Sequence, residues 1–199
     1  KNNLVKLTGD SQMGYYLLLI SAVTLTLDKY GKGGPACVGI SGLTMENKVA
    51  NYTSKLLPLL TSVENFKDEP YSHFFSEITE DLKSVYRNRN IPIEYIGEHF
   101  GLSPEYSYRE IFRVAALMEG VHEEKIITDL KLDLLISMHA DKDSIVIEIV
   151  YNSLRYKRAS INTFSENVVA ILNDISINPR KKLSEINLLS EEEKEQVLH

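Results

Sequence analysis

Residues 11–27 carry no charge, and Met13, Tyr15, Tyr16, Leu17, Leu18, Leu19, Ile20, Val23, Leu25 and Leu27 spread around nearly the whole circumference of the helix they would form. A helix that is apolar on every side has to be covered on most of them. Asp10 or Ser11 is placed to cap its start, and Gly31, Gly33 and Gly34 end it after Tyr30. The run is shorter than the ~20 apolar residues a membrane span needs and contains Ser21, Thr24 and Thr26. It therefore reads as a buried helix, with a membrane helix as the weaker alternative.

The other elements must supply the cover. Residues 36–40 and 56–60 are apolar runs of strand type, and Pro58 restricts the second to a sheet edge or a strand end. Asp68 with Pro70 opens a helix to about Arg89, whose Phe74, Ile78, Leu82 and Val85 form one apolar stripe. A short helix follows over 91–100, and 111–118 is a candidate strand. Leu130, Leu132, Leu134, Ile136 and Met138 alternate at period two, as do Ile145, Ile147 and Ile149, with His139-Ala140-Asp141-Lys142-Asp143 as a polar turn between them. That is the pattern of a long antiparallel hairpin. Phe164, Val168, Val169, Ile171, Leu172 and Ile175 then line one face of a helix from about Ser160 to Ile177. The order predicts an α/β (α+β) fold with helices packed on a mixed, largely antiparallel sheet.

With 199 residues, 43% of them hydrophobic, the chain can bury a core of its own. A net charge of −6 lacks the basic face a nucleic-acid binder needs. The single cysteine, Cys37, excludes an internal disulfide and a cysteine-based zinc site, and it fits a reducing, cytoplasmic setting. Cys37 itself lies in an apolar run and reads as a small core residue. No signal peptide is visible, and the missing initiator Met suggests numbering that starts inside a longer protein.

Candidate chemistry is sparse. His73, His99, His122, His139 and His199 are scattered, and none makes a metal-ligand pair at helical spacing. His73 reads as a helix-surface residue and His99 as a boundary residue of the short helix. His139 with Asp141 and Asp143 could hold a cation, but the run lacks the glycine and distal glutamate of a calcium loop, so a solvated turn is the better reading. Gly31-Lys32-Gly33-Gly34 follows a helix where a phosphate loop would follow a strand, and it lacks that loop's spacing.

The end of the chain is unusual. After Asn178 and Pro179 come a basic turn, an apolar clip of Leu183, Ile186, Leu188 and Leu189, and Ser190-Glu191-Glu192-Glu193, which fits a helix start with Glu193 closing a capping box. Free ends rarely carry a row of leucines, so the tail reads as a joint to something else.

Taken together, these segments resemble the C-terminal half of a condensation domain from nonribosomal peptide synthetases. The resemblance is carried by Tyr151-Asn152 at the end of the hairpin, by Asn178-Pro179, and by Ser184-Glu185-Ile186-Asn187-Leu188-Leu189-Ser190-Glu191-Glu192-Glu193. Upstream, the apolar helix ending in Asp28-Lys29-Tyr30-Gly31, the run from Val49 through Asn51-Tyr52-Thr53-Ser54 to Leu59, and Asn88-Arg89-Asn90-Ile91-Pro92-Ile93-Glu94 are similar to family motifs in the family's order. Ser54 stands where the family has Asn, Asn88 where it commonly has His, and Tyr106-Ser107-Tyr108-Arg109 follows its motif only loosely.

The resemblance implies one chloramphenicol-acetyltransferase-like lobe over 1–178, with 179–199 as clip and linker towards an adenylation domain. It implies amide-bond formation between carrier-bound thioesters. The family's His-His-x-x-x-Asp-Gly signature is missing here, so this lobe would supply one wall of the substrate tunnel and no catalytic residue. Asn51, Tyr52 and Ser54 are then the residues expected to face the tunnel; ordinary strand and turn packing is the other reading of the same run.

The implied partners are the N-terminal lobe, the peptidyl or aminoacyl carrier proteins that present phosphopantetheine, and the downstream adenylation domain. No directly bound cofactor, nucleic acid or membrane is implied, and an isolated lobe would self-associate through its uncovered face. The departures motivate a second reading, a non-catalytic module that recruits a carrier protein or a tailoring enzyme. A free-standing acyltransferase of the same fold is a weaker third.

Overall fold

The structure, a computed structural model, describes residues 2–31, 34–41, 56–99, 101, 111–119, 121–122, 132–141 and 144–186. Its elements are α1 (Asn2–Thr8), α2 (Gln12–Tyr30), β1 (Ala36–Ser41), β2 (Leu56–Thr61), α3 (Tyr71–Arg87), α4 (Ile93–His99), β3 (Val114–Met118), β4 (Leu134–Ala140), β5 (Ile145–Tyr151) and α5 (Arg158–Ile177). The strands form one sheet in the order β2-β1-β3-β4-β5.

The sheet is mixed and carries helices, as expected. Its outer pairings, β1 with β2 and β4 with β5, are antiparallel, whereas β3 lies parallel to both β1 and β4. The antiparallel share is therefore confined to the two sides of a parallel centre. Pro58 is tolerated because β2 is an edge strand.

The all-round apolar helix is the centre of the molecule. α2 packs against α1, α3 and α5 and against β1, β3 and β4, which explains why no side of it is polar. Ser21 and Thr26, buried within it, return their hydroxyls to the carbonyls of Leu17 and Ala22 at 2.8 Å each. Tyr16 reaches the sheet and donates to the carbonyl of Ala116 at 2.9 Å. Ser11 is the cap, its Oγ accepting from the Gly14 amide at 3.0 Å.

Asp10 adopts a left-handed φ of 56° in the turn after α1, a short helix that the sequence reading did not anticipate. At Gly14 the two helices touch: a Cβ there would lie 2.5 Å from the carbonyl oxygen of Thr8. Gly14→Ala is expected to cost about 1–3 kcal/mol by forcing α1 off α2, read as a lowered midpoint in urea unfolding; an unchanged midpoint would show that α1 shifts freely.

The alternation along the strands sorts residues between two faces. Val38, Ile40, Leu57, Leu59, Val114, Ala116, Leu134, Ile136 and Met138 join the main core beneath α2, α3 and α5. On the opposite face Leu56, Phe112, Ala115 and Leu117 join Ile93 of α4 in a smaller cluster. Phe112 rests on Gly39, where an added Cβ would come within 3.0 Å of its ring. Among the described residues, α4 packs against part of this second face. Along β5, Val146, Glu148 and Val150 are exposed while Ile145, Ile147 and Ile149 are half-buried.

Two boundaries differ from the sequence reading. His139 and Ala140 belong to β4, paired with Val146 and Ile145, so the turn is shorter than the polar run suggested. α3 begins at Tyr71 with no side-chain cap from Asp68. Its first amides are instead met by the chain that follows α5: Tyr71 N–H donates to the carbonyl of Lys181 at 2.9 Å and Ser72 N–H to that of Pro179 at 3.0 Å. Leu183 and Ser184 amides donate back to the carbonyls of Glu69 and Lys67 at 3.1 and 2.9 Å. Residues 178–186 thus form a strap across the start of α3. Leu183 and Ile186 in it are buried members of the main core.

Candidate functional site

Asn51, Tyr52 and Ser54 lie outside the described residues, but the ends of their segment are fixed. Ser41, the last residue of β1, pairs with Leu56, the first of β2, so residues 42–55 leave and rejoin the sheet side by side. The Tyr86 hydroxyl donates to the carbonyl of Ser41 at 3.0 Å and ties α3 to this end.

Directly beside Leu56 opens a cleft of about 150 Å³, lined by Leu56, Leu57, Pro58, Ser84, Val85, Asn88, Ile91, Ile93 and Ile96. Two segments singled out in the sequence therefore meet: the end of the Val49-to-Leu59 run and the Asn88-to-Glu94 run. Asn88 is the C-cap of α3, with its Nδ2 donating to the carbonyl of Ser84 at 3.0 Å. Its side chain ends a helix, and among the described residues the cleft is an apolar receptacle without an acid or a base in its lining.

A second depression, about 240 Å³, opens on the second sheet face and is lined by Glu119, Ser137, Met138, His139, Val146 and Glu148. Here the reading of His139 as part of a solvated turn is corrected. As a strand residue it sits between two carboxylates, with Nδ1 2.6 Å from Glu119 Oε2 and Nε2 3.2 Å from Asp141 Oδ2. Strand pairing fixes the imidazole while Glu119 follows β3 and Asp141 follows β4. Among the described residues, no group of three or more His, Cys, Asp or Glu side chains is arranged to hold a metal ion.

His122, which no sequence motif singles out, is 5% exposed. Its Nδ1 lies 3.0 Å from the Met118 amide, which can donate to it, and 3.3 Å from the Met118 carbonyl, while Nε2 is buried without a partner. Its ring lies 4.5 Å from that of Tyr16, centroid to centroid. Burial lowers its pKa to about 4, against a smaller raising effect of the Met118 backbone. A histidine neutral in the folded state has no signature in the sequence, because its burial depends on a tyrosine far away along the chain.

The remaining candidates are structural. Burial pushes the Cys37 thiol up to about 11, which keeps it out of thiolate chemistry. His73 is half-exposed on α3, 3.2 Å from Glu69 and edge-on to Phe66. Asn152 builds a turn: its Oδ1 accepts from the Leu154 amide at 3.1 Å and its carbonyl from Arg155 and Tyr156 at 3.0 Å each. Arg155 in turn reaches buried Asp133 at 3.2 Å. No helix among the described residues is long and apolar enough to cross a membrane.

A family model described as Condensation domain matches residues 1–198. Bacitracin synthase 2 of Bacillus licheniformis is 24% identical over 218 residues, covering 100% of this chain and 8% of that protein. Gramicidin S synthase 2 of Brevibacillus brevis is 23% identical, covering 99% and 5% respectively. Among solved structures, the starter condensation domain of rhizomide synthetase superposes with a TM-score of 0.65 at 14% identity, over 90% of this chain and 46% of that one. The X-domain solved in complex with OxyB from teicoplanin biosynthesis superposes at 0.71 with 16% identity, over 95% and 46%. These structural likenesses establish the fold, and the chain spans less than half of either structure and under a tenth of the two synthases.

Proposed function

Because the chain belongs to the condensation domain family, we propose that it is the second lobe of such a domain, working in amide-bond formation between carrier-bound acyl or aminoacyl thioesters. The observation that carries the reading is the family match over 1–198, set beside a solved condensation domain of which these residues cover 46%. In this reading an acceptor amine attacks the donor thioester carbonyl; the C–N bond forms, the C–S bond breaks and the carrier's thiol leaves. The sequence contains no His-His-x-x-x-Asp-Gly element, so the reading assigns proton handling to the N-terminal lobe.

This lobe then contributes position. Its loops would form one wall of the tunnel, with Asn51, Tyr52 and Ser54 as the residues that meet the reactants. Holding two tethered reactants in register removes translational freedom from the barrier. The part of the second sheet face where Val146 and Val150 stand exposed would seat the N-terminal lobe. The phosphopantetheine arms belong to the carrier proteins, and a downstream adenylation domain follows.

The test joins this lobe to its upstream half and measures product from loaded carrier proteins. Tyr52→Ala is expected to lower turnover by about 10- to 100-fold without a change in melting temperature; full turnover in that variant would remove Tyr52 from the wall. A second reading, a non-catalytic module that recruits a carrier protein or tailoring enzyme, is favoured by the likeness to an X-domain solved in complex with OxyB and by the departures at Ser54 and Asn88. Absence of product from the joined lobes, together with stable binding of a loaded carrier, would select it.

A further inference from the structure

The cleft beside Leu56 has a floor and a rim of different kinds. Its floor is Leu56, Ile93 and Ile96, members of the smaller cluster on the second sheet face, with Leu56 and Ile93 0% and 1% exposed. Its rim is Ser84 and Asn88 at the end of α3 and Ile91 just beyond it, and all three are exposed. We propose that this cleft receives one apolar side chain of a carrier-bound substrate, about the size of leucine or phenylalanine. The proposal rests on the catalytic reading for the source of that side chain and adds to it a class of substrate.

Three observations carry it. The first is size and lining. The cleft holds about 150 Å³, and an apolar cavity of about that volume stays dry and takes a benzene ring. A charged or amide group seated on the floor would lose water without gaining a partner. Among the described residues, the polar side chains of the lining are those of Ser84 and Asn88, at the rim. Asn88 Nδ2 is committed to the carbonyl of Ser84 at 3.0 Å, which leaves Oδ1 to accept from the backbone N–H of the residue being seated.

The second is what the edge strand allows. β2 is the last strand on its side of the sheet. Pro58, in the lining, brings no N–H to the free edge, so a partner backbone gains no hydrogen bond from it by extending the sheet. A side chain entering between β2 and the ends of α3 and α4 needs no such donor.

The third is place. Ser41 pairs with Leu56, so the cleft lies at the end of the sheet where the chain leaves after β1 and returns to β2. Asn51, Tyr52 and Ser54, the residues that meet the reactants in the catalytic reading, belong to the segment that Leu56 directly follows.

Carbon-13 methyl spectra of this chain, titrated with N-acetyl-leucine methylamide and with N-acetyl-alanine methylamide, test the seat. The leucine probe is expected to shift the methyl groups of Leu56, Ile91 and Ile96 and to leave Ile171 of the main core unmoved. The alanine probe is expected to bind about tenfold more weakly. Equal binding of the two probes, or shifts no larger at the cleft than at Ile171, would overturn the proposal. Ser84→Phe fills the cleft from an exposed helix position, and it is expected to weaken the leucine probe about tenfold at an unchanged urea midpoint. Should that midpoint fall, Ile91→Asp at the exposed rim takes its place with the same loss expected; undiminished binding in the folded variant would likewise overturn the seat. In the joined lobes, Ser84→Phe is expected to lower turnover of a leucine-bearing carrier substrate about tenfold more than that of an alanine-bearing one, and equal losses count against the proposal. A joined domain that forms no product at all counts against the catalytic reading alone, because the probe titration of this chain does not depend on it.

Discussion

A chain ending at Asn178 is expected to melt well below one ending at Ile186. The cut removes Leu183 and Ile186, which are 4% and 3% exposed and belong to the main core. Burying a side chain of that kind contributes about 1.5–3 kcal/mol, so the pair accounts for about 3–6 kcal/mol. The cut also removes the two carbonyls that meet the first amides of α3, a helix with no side-chain cap of its own; an N-terminal cap contributes about 0.5–2 kcal/mol. Against this stands the entropy of ordering the strap, which the shorter chain no longer loses. A net loss of about 3 kcal/mol is a large part of the 5–15 kcal/mol typical of a whole domain, and in a chain of this size it lowers the melting temperature by about 6–12 °C. Calorimetry on the two truncations decides it. Equal melting temperatures would mean that the strap only lies on the surface and that the lobe ends where α5 ends.

That expectation also shows what kind of information the sequence carried. The apolar clip was legible because Leu183 and Ile186 have no reason to follow a basic turn unless something covers them. What covers them was not legible, since it depends on α3 offering uncapped amides more than a hundred residues earlier in the chain. α2 was legible for a similar reason: an uncharged helix apolar on all sides admits one environment, and it lies among three helices and three strands. The β4–β5 hairpin followed from period two alone, but its exact turn did not. His139 and Ala140 run straight into the polar Asp141-Lys142-Asp143, and only the register with Val146 and Ile145 draws them into the sheet. The parallel pairings of β3 have no local signature at all, because they are set by long crossovers. The motif segments around Leu56 and Asn88 are far apart in the sequence, whereas in space they line one cleft. Tyr151-Asn152 turned out to mark a turn, with Asn152 closing it through both its side chain and its carbonyl.

His122 gives the second large effect, and its sign follows from linkage. An imidazole ordinarily titrates near 6.5, and burial lowers this one to about 4 in the folded chain. Between those two values the unfolded chain binds a proton that the folded chain does not, so protons favour unfolding. The contribution of a neutral, buried His122 is complete above about pH 6.5. It is lost progressively as the pH falls towards 4, and below that both states are protonated and the loss stops growing. A shift of this size corresponds to about 3 kcal/mol; with the ring 5% exposed, solvent screening does little to reduce it. Carboxylates elsewhere contribute to acid unfolding too, so the decisive quantity is a difference between two chains. His122→Asn provides it: an amide oxygen can take the place of Nδ1, accept from the Met118 amide at that position and never titrate. Urea unfolding at pH 7 and pH 4.5 is expected to show the original chain losing about 2–3 kcal/mol more than the variant over that interval. Identical pH dependence in the two chains would place a proton on His122 in the folded state, and the unpartnered Nε2 would then need a hydrogen-bond acceptor that the described residues do not supply.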